Sequence, residues 1–153
     1  MTENNYEFVK QMLGPCGLNC GKCFAYADGE IHILSKQLES AFGNFDNYAV
    51  RFEEMLEQPV FAKYPDFKEF LQFLTTTQCE GCRKEKCKLF KTCNVRPCSE
   101  EKGVDFCFQC ESFPCEVTGF DTDLYKRHVA INNRMKEIGV EKYYDEIKNL
   151  SRY

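Results

Sequence analysis

Cysteine is the residue that most restricts how this sequence can fold. Eleven cysteines occur in 153 residues, three of them between positions 16 and 23 and eight between positions 79 and 115. An odd number cannot be fully paired as disulfides. The amino terminus has neither the basic start nor the apolar stretch of a secretory signal, which favours a cytoplasmic location. Because a reducing cytosol keeps thiols free unless they bind metal or carry out redox chemistry, the sequence predicts a metal-binding protein.

The spacing of the cysteines favours zinc. Three pairs are separated by two residues: Cys20–Cys23, Cys79–Cys82 and Cys107–Cys110. Two intervening residues let both sulfurs reach one ion from a tight turn, and structural zinc is usually held by four thiolates. Two closed sites would use eight of the eleven cysteines, so about two zinc ions are expected. The candidate metal ligands are all of the cysteines: Cys16, Cys20, Cys23, Cys79, Cys82, Cys87, Cys93, Cys98, Cys107, Cys110 and Cys115.

The sharing of these ligands between two sites is less constrained than their number. Closeness in sequence favours a first site from Cys79, Cys82, Cys98 and either Cys87 or Cys93. The second site would join two pairs that are distant in sequence, Cys20 and Cys23 with Cys107 and Cys110. Cross-braced arrangements fit the spacings equally well, and Cys16 and Cys115 have no clear place.

The two histidines add little to this ligand set. His128 lies on the apolar stripe of a predicted helix, which makes it the better candidate for a further ligand. A core histidine that is satisfied by a hydrogen bond is nevertheless the favoured interpretation. His32 falls off the apolar stripe of its own helix and is expected to be exposed.

The segment between the two cysteine-rich stretches is predicted to be helical. Apolar residues recur at helical spacing from Ile31 to Phe42, from Phe45 to Leu56, and after Pro65 as far as Leu74. Gly43 is well placed to end the first of these helices.

Two further helices are expected after the last cysteine. Asp121 can cap a helix that Gly139 ends, and a final helix is predicted over residues 141–150. The apolar face of the first is formed by Leu124, His128, Ile131, Met135 and Ile138.

The predicted fold class is mainly α. A single helical domain over residues 1–153 would carry irregular, metal-stabilised cysteine segments in the form of zinc knuckles, with minimal β structure. Its parts are an N-terminal cysteine knuckle (residues 14–28), a helical segment (29–75), a cysteine-rich metal-binding segment (76–118) and C-terminal helices (119–153).

Other metal and redox chemistries remain as alternatives. An iron–sulfur protein is the main one, because clusters also take four thiolates, although the spacings match neither ferredoxin pattern. A thiol-redox role would use the C-x2-C spacing, but the βαβ context of thioredoxins is absent. A metal-dependent enzyme would need three thiolates and an open position on zinc. No catalytic or cofactor-binding constellation is readable beside the cysteines.

The partner of the chain is not readable from the sequence. Arg83 to Arg96 contains six basic residues and one acidic residue, which suits either a nucleic-acid surface or compensation of the negative charge of a zinc–thiolate site. Compensation is favoured, because a zinc ion held by four thiolates carries a net charge of about −2 and attracts nearby cations. The net charge of −4 also gives no global attraction for nucleic acid. No apolar run is long enough to span a bilayer. A binding or adaptor module, with a protein partner among the options, is the expected role.

Four short boxes occur in order between Gly14 and Glu116. They are Cys16-Gly-Leu-Asn-Cys20-Gly-Lys-Cys23, Cys79-Glu-Gly-Cys82-Arg83, Val95-Arg96-Pro97-Cys98, and Cys107-Phe-Gln-Cys110-Glu-Ser-Phe-Pro114-Cys115-Glu116. Together they resemble a bacterial and archaeal cysteine-rich family, domain of unknown function 3795. The resemblance implies zinc binding and does not imply an activity.

Overall fold

Helices make up the regular structure of the computed structural model, which describes residues 3–153. Over these residues there is no β-strand, and the only β-type pairing is two isolated bridges, Leu13 with Asn19 and Tyr26 with Cys79. The mainly α prediction is therefore confirmed. None of the described helices is both long and apolar enough to cross a membrane. The helices are α1 (Glu3–Met12), α2 (Glu30–Phe42), α3 (Asp46–Leu56), α4 (Tyr64–Thr75), α5 (Val95–Lys102), α6 (Thr122–Ile138) and α7 (Val140–Ile147).

Helices α2, α3 and α4 form an aromatic-rich unit at the positions that the apolar stripes predict. Gly43 follows α2 with a φ of +49°, and a 3-10 turn over Pro59–Lys63 connects α3 to α4. Phe45 lies at the centre of the unit, with its ring 4.9 Å from that of Tyr64 and 5.0 Å from that of Phe42. Aromatic packing between successive helices therefore holds the unit together.

The face that α2 buries differs from the predicted one. Leu34 on the apolar stripe is 54% exposed, whereas His32 is only 4% exposed, so the expectation of an exposed His32 is wrong. The His32 Nδ1 lies 3.1 Å from the Leu74 carbonyl oxygen and 3.0 Å from the Thr77 hydroxyl oxygen. Hydrogen bonding to the end of α4 thus decides which side of α2 faces inward, and hydrophobic periodicity does not detect such bonds.

Helices α1, α6 and α7 surround the main apolar core. Phe106 and Leu13 are completely buried there, together with Met135 of α6 and Tyr143 of α7. The predicted cap of α6 is present, because an Asp121 side-chain oxygen accepts hydrogen bonds from the first turn. Gly139 ends the helix as predicted. The final helix is shorter than predicted, ending at Ile147.

Two helices have no counterpart in the sequence prediction. Helix α1 precedes the first cysteine, and α5 lies inside the second cysteine-rich stretch, which was expected to be irregular. A signal for α5 is present in the sequence: Arg96 pairs with Glu100 one turn later at 2.8 Å, and Gly103 follows the helix in the left-handed conformation. Because α5 is short and mostly polar, a search for apolar residues at helical spacing does not detect it.

Candidate metal centre

Each C-x2-C pair sits in a tight turn. Residues 20–22 and 107–109 form single 3-10 turns, in which the N–H of the second cysteine bonds the carbonyl of the first at 3.0 Å. In the third pair Gly81 has a φ of +96°, and its N–H points to the Cys79 sulfur at 3.4 Å. A backbone N–H directed at sulfur stabilises the thiolate form, which is the form that binds metal.

A β-bridge joins the first turn to the turn of Cys79 and Cys82. The Cys79 N–H donates to the Ala25 carbonyl at 2.9 Å, and the Cys79 carbonyl accepts from the Ala27 N–H at 2.9 Å. Helices α2 to α4 lie between the two bridged segments in sequence, and the end of α4 brings the chain back beside the first cysteine turn. Two cysteine pairs that are distant in sequence therefore lie side by side.

Five cysteines gather at this bridge, and we call them the N-terminal group: Cys20, Cys23, Cys79, Cys82 and Cys87. Their thiols line a small cavity of about 20 Å³. Space of this size accommodates one water molecule or one ion.

The thiols of the N-terminal group interact directly. Cys82 is within hydrogen-bond reach of both Cys20 and Cys87, and its hydrogen bonds lower the pKa of each of these two thiols. The same contacts raise the pKa of Cys82. Burial raises the pKa of Cys79, and the neighbouring charges of Glu85 and Cys20 act in the same direction. The group therefore releases its protons as a coupled unit.

Four other cysteines form a second cluster, the C-terminal group: Cys98, Cys107, Cys110 and Cys115. Burial raises the pKa of Cys107 to about 12, with contributions from the charge of Cys16 and then from those of the other three members. Burial also raises the pKa of Cys98, and Cys115 and Cys110 add to the effect. The four thiols are thus close enough for their charges to interact. Helix α5 supplies Cys98, and the last C-x2-C turn supplies Cys107 and Cys110.

The observed grouping corrects the one that closeness in sequence favours. The Cys20–Cys23 pair neighbours the Cys79–Cys82 pair instead of the Cys107–Cys110 pair, and Cys98 belongs with the latter. The reason is the bridge between Cys79 and Tyr26, which joins two segments that are far apart in sequence. Cys115, which had no clear place, joins the C-terminal group.

The donor set of both groups suits a soft divalent cation. As they stand, residues 3–153 contain no group of three or more His, Cys, Asp or Glu side chains arranged to hold an ion. Rotation of thiol side chains would have to bring the sulfurs onto a common centre. The raised pKa values of Cys79, Cys98 and Cys107 show that burial opposes their bare thiolates. A divalent cation would supply the missing positive charge, so the residues fit zinc.

Cys16 lies between the two groups, close enough to Cys20 and Cys107 for their charges to interact, and Cys93 lies outside both. They line a larger cavity of about 370 Å³ together with three members of the N-terminal group, Cys20, Cys82 and Cys87. Burial raises the pKa of Cys16 to about 12, with the charge of Cys20 as the next cause, and burial also raises the pKa of Cys93. Without a metal, both are therefore neutral thiols at pH 7.

The C-terminal tail contacts the first cysteine turn, a feature that sequence patterns do not reveal. Arg152 donates from Nη1 to the Asn19 carbonyl at 2.8 Å, and the Tyr153 hydroxyl accepts from the Phe24 N–H at 3.1 Å. Burial opposes the charge of Arg152, but the thiolates of Cys23 and Cys20 outweigh it and raise the arginine's pKa. A partly buried cation thus lies beside the N-terminal group.

The basic segment is only partly free to meet a partner. Arg83 donates to the carbonyl oxygens of Leu13 and Asp105 at 3.0 and 2.8 Å, and its guanidinium lies 4.8 Å from the centre of the Phe106 ring. It therefore fastens the cysteine-rich segment to the main core. Lys88 donates to the Gln78 carbonyl at 2.8 Å. Nucleic-acid binding by this segment stays a prediction.

His128 occupies the core position that its helical stripe predicts. It is 1% exposed, its Nδ1 lies 3.2 Å from the Cys16 carbonyl oxygen, and Asn132 donates to the same oxygen at 2.9 Å. The Nε2 atom has no hydrogen-bond partner among the described residues. Aromatic rings of Phe113 and Phe120 pack against the imidazole, and burial lowers its pKa. These contacts fix the loop that carries Cys16 onto α6.

Comparison with models of known protein families yields a match. A family model described as "Protein of unknown function (DUF3795)" matches residues 12–119, which include all eleven cysteines and most of the fold up to α6. The comparisons with curated proteins and with solved structures found no match. The family resemblance drawn from the four cysteine boxes is thereby confirmed.

Proposed function

We propose that this chain, which belongs to the DUF3795 family of proteins of unknown function, is a cytoplasmic zinc protein that acts as a binding module. The observation that carries the proposal is the pairing of two C-x2-C turns across the bridge between Tyr26 and Cys79. Two adjacent turns of this kind present four thiols to one small space, which is the usual construction of a structural zinc site.

Each group would hold one ion. In the N-terminal group the ligands would be the members of the two turns, with Cys87 as a neighbouring thiol. In the C-terminal group all four members would take part. Zinc supplies a redox-inert cross-link between chain segments and no chemical step of its own. The ligands of the first site are Cys20, Cys23, Cys79 and Cys82, and those of the second are Cys98, Cys107, Cys110 and Cys115.

A binding role is supported by the surface of the helical unit. Phe70 and Phe73 of α4 are 62% and 54% exposed, and Leu34 of α2 is also more than half exposed. Exposed aromatic and aliphatic side chains on neighbouring helices are typical of surfaces that contact other proteins.

Single-cysteine variants test the assignment of ligands. We expect Cys79→Ser and Cys110→Ser each to lower the zinc content by about one ion per chain, and the double variant to retain none. Cys93→Ser is the matched control, because Cys93 lies outside both groups and should leave the zinc content unchanged. An equal loss in the control, or no loss in either single variant, would contradict the assignment.

Cobalt substitution separates a structural site from a catalytic one. Cobalt bound by four thiolates gives absorption bands that added azide does not change, since no coordination position is open. A spectrum that shifts with azide would favour a metal-dependent enzyme with one open position. Brown protein containing iron and sulfide would favour the iron–sulfur alternative.

A further inference from the structure

Residues 151–153, which we call the strap, follow α7 without helical structure and reach back to the first cysteine turn. Arg152 donates from Nη1 to the Asn19 carbonyl, the residue before that turn, at 2.8 Å. The Tyr153 hydroxyl accepts from the N–H of Phe24, the residue after that turn, at 3.1 Å. The strap is therefore fastened on both sides of the first C-x2-C turn.

Arg152 also separates the thiols of the N-terminal group from a neighbouring space. It lines the cavity of about 20 Å³ between these thiols and a further cavity of about 200 Å³ beside α6 and α7. Among the described residues it is the only one that lines both cavities, so its side chain lies at the boundary between them. Loss of this side chain would join the small cavity to the larger one and open a path to the thiols.

Both side chains of the strap also interact with the thiols. Burial lowers the pKa of Arg152, but the thiolates of Cys23 and Cys20 outweigh burial and raise it. Burial raises the pKa of Tyr153, and the charge of Cys23 adds to this effect. Groups that contact metal ligands from outside fix the orientation of those ligands and strengthen the binding of the metal. The strap is in the right place to do both for Cys20 and Cys23.

The C-terminal group has no comparable cover. All four of its cysteines are partly exposed, whereas Cys20, Cys23 and Cys79 of the N-terminal group are buried. The hydrogen bonds that the structure describes between the strap and other parts of the chain lead to the first cysteine turn and to α6, and none leads to the C-terminal group. The two groups therefore differ in how easily a chelator or an oxidant reaches them.

The attachment of the strap is weak enough for it to open by itself. Its bonds to the rest of the chain are polar, Tyr153 is 68% exposed, and Leu150 just before the strap is 59% exposed. Segments that bury few apolar contacts open locally at a small cost in free energy, without unfolding of the core. The strap can thus open and close while the helices stay packed.

From these contacts we infer that the strap closes the N-terminal group and makes its metal the slower of the two to leave the protein. The inference rests on the proposed zinc sites, and it gives Arg152 and Tyr153 a positioning role that ligation by cysteine alone does not require. With the strap closed the ion is retained, and with the strap open it exchanges with the solution. The C-terminal ion exchanges without this control.

Release of zinc from the full-length protein to the chelator 4-(2-pyridylazo)resorcinol measures this difference. Two phases are expected, and Cys110→Ser, which is expected to keep only the N-terminal ion, should show the slow one. Arg152→Ala should accelerate the slow phase about tenfold, the effect of one hydrogen bond that involves a charged group, and leave the fast phase unchanged. Arg134→Ala is the matched control, because Arg134 is an exposed arginine that pairs with Glu146 and lines none of the cysteine cavities.

Alkylation by iodoacetamide, mapped by mass spectrometry, reports on the strap whichever metal the protein holds. Arg152→Ala should make the thiols of the first turn react about tenfold faster and leave those of the C-terminal group unchanged. Tyr153→Phe, which removes the hydroxyl that accepts from Phe24, should act in the same direction. Unchanged rates at the first turn, or equal acceleration at both groups, would overturn the inference. Zinc content measured beforehand tests the proposed function separately, since protein without zinc contradicts that proposal while the alkylation pattern still decides the role of the strap.

Discussion

Gly17 connects the first cysteine loop to the core, and its replacement by alanine has a cost that follows from the structure. Its φ is +86°, a region that side chains with a Cβ rarely adopt. A Cβ at this position would overlap Cγ2 of Ile131 and approach Cε of Met135 to 2.7 Å. The methionine tip can move, but the β-branched Ile131 has little rotamer freedom in a helix.

The expected destabilisation has two components. Backbone strain at positive φ costs about 1–2 kcal/mol, and overpacking of a filled core costs about 1–3 kcal/mol. Gly17→Ala should therefore lower the free energy of unfolding by about 2–5 kcal/mol, a large part of the roughly 5–15 kcal/mol of a typical domain.

Urea unfolding followed by circular dichroism, at a fixed zinc concentration, measures this loss. Gly103→Ala is the matched control, because Gly103 also has a positive φ, +65°, but an added Cβ there meets nothing within 4 Å. The control should lose only the backbone part, about 1–2 kcal/mol. The reasoning is refuted if Gly17→Ala is no more destabilising than Gly103→Ala.

Three other perturbations have defined outcomes. Phe106→Ala removes a completely buried ring and should destabilise the protein by about 3–5 kcal/mol in urea unfolding, while Phe70→Ala, at a 62% exposed position, should change stability by less than about 0.5 kcal/mol. Burial raises the pKa of Tyr143, so its contribution to stability is present below the unfolded pKa of about 10 and is lost as pH rises through the folded value. Tyr143→Phe should therefore lose less stability than the native chain when urea unfolding is compared between pH 9 and 11. Verified removal of zinc by a chelator should unfold at least residues 79–115, because a structural zinc contributes on the order of 10–16 kcal/mol; unchanged circular dichroism would contradict this.

Local features of the fold are readable in the sequence because their causes are local. Asp121 and Gly139 bound α6 through their own side chain and backbone, so the residue types are sufficient to predict them. The tight C-x2-C turns follow in the same way from their spacing. Helix α5 was missed because its signals are an ion pair and a terminal glycine instead of an apolar stripe.

Features that depend on distant partners were not predictable from the spacing. Cys79 meets Ala25 only because three intervening helices return the chain, so the grouping of cysteines depends on tertiary structure. His32 is buried by bonds to the end of α4, and Arg152 reaches the first cysteine turn from the far end of the chain. None of these contacts leaves a periodic pattern in the sequence.

Metal analysis with an absorption spectrum, on protein purified without oxygen, tests the central claim most directly. We expect a colourless protein with about two zinc ions per chain, one for each cysteine group. A brown protein that absorbs near ~400 nm and contains iron and sulfide would contradict it and would assign the same thiols to an iron–sulfur cluster.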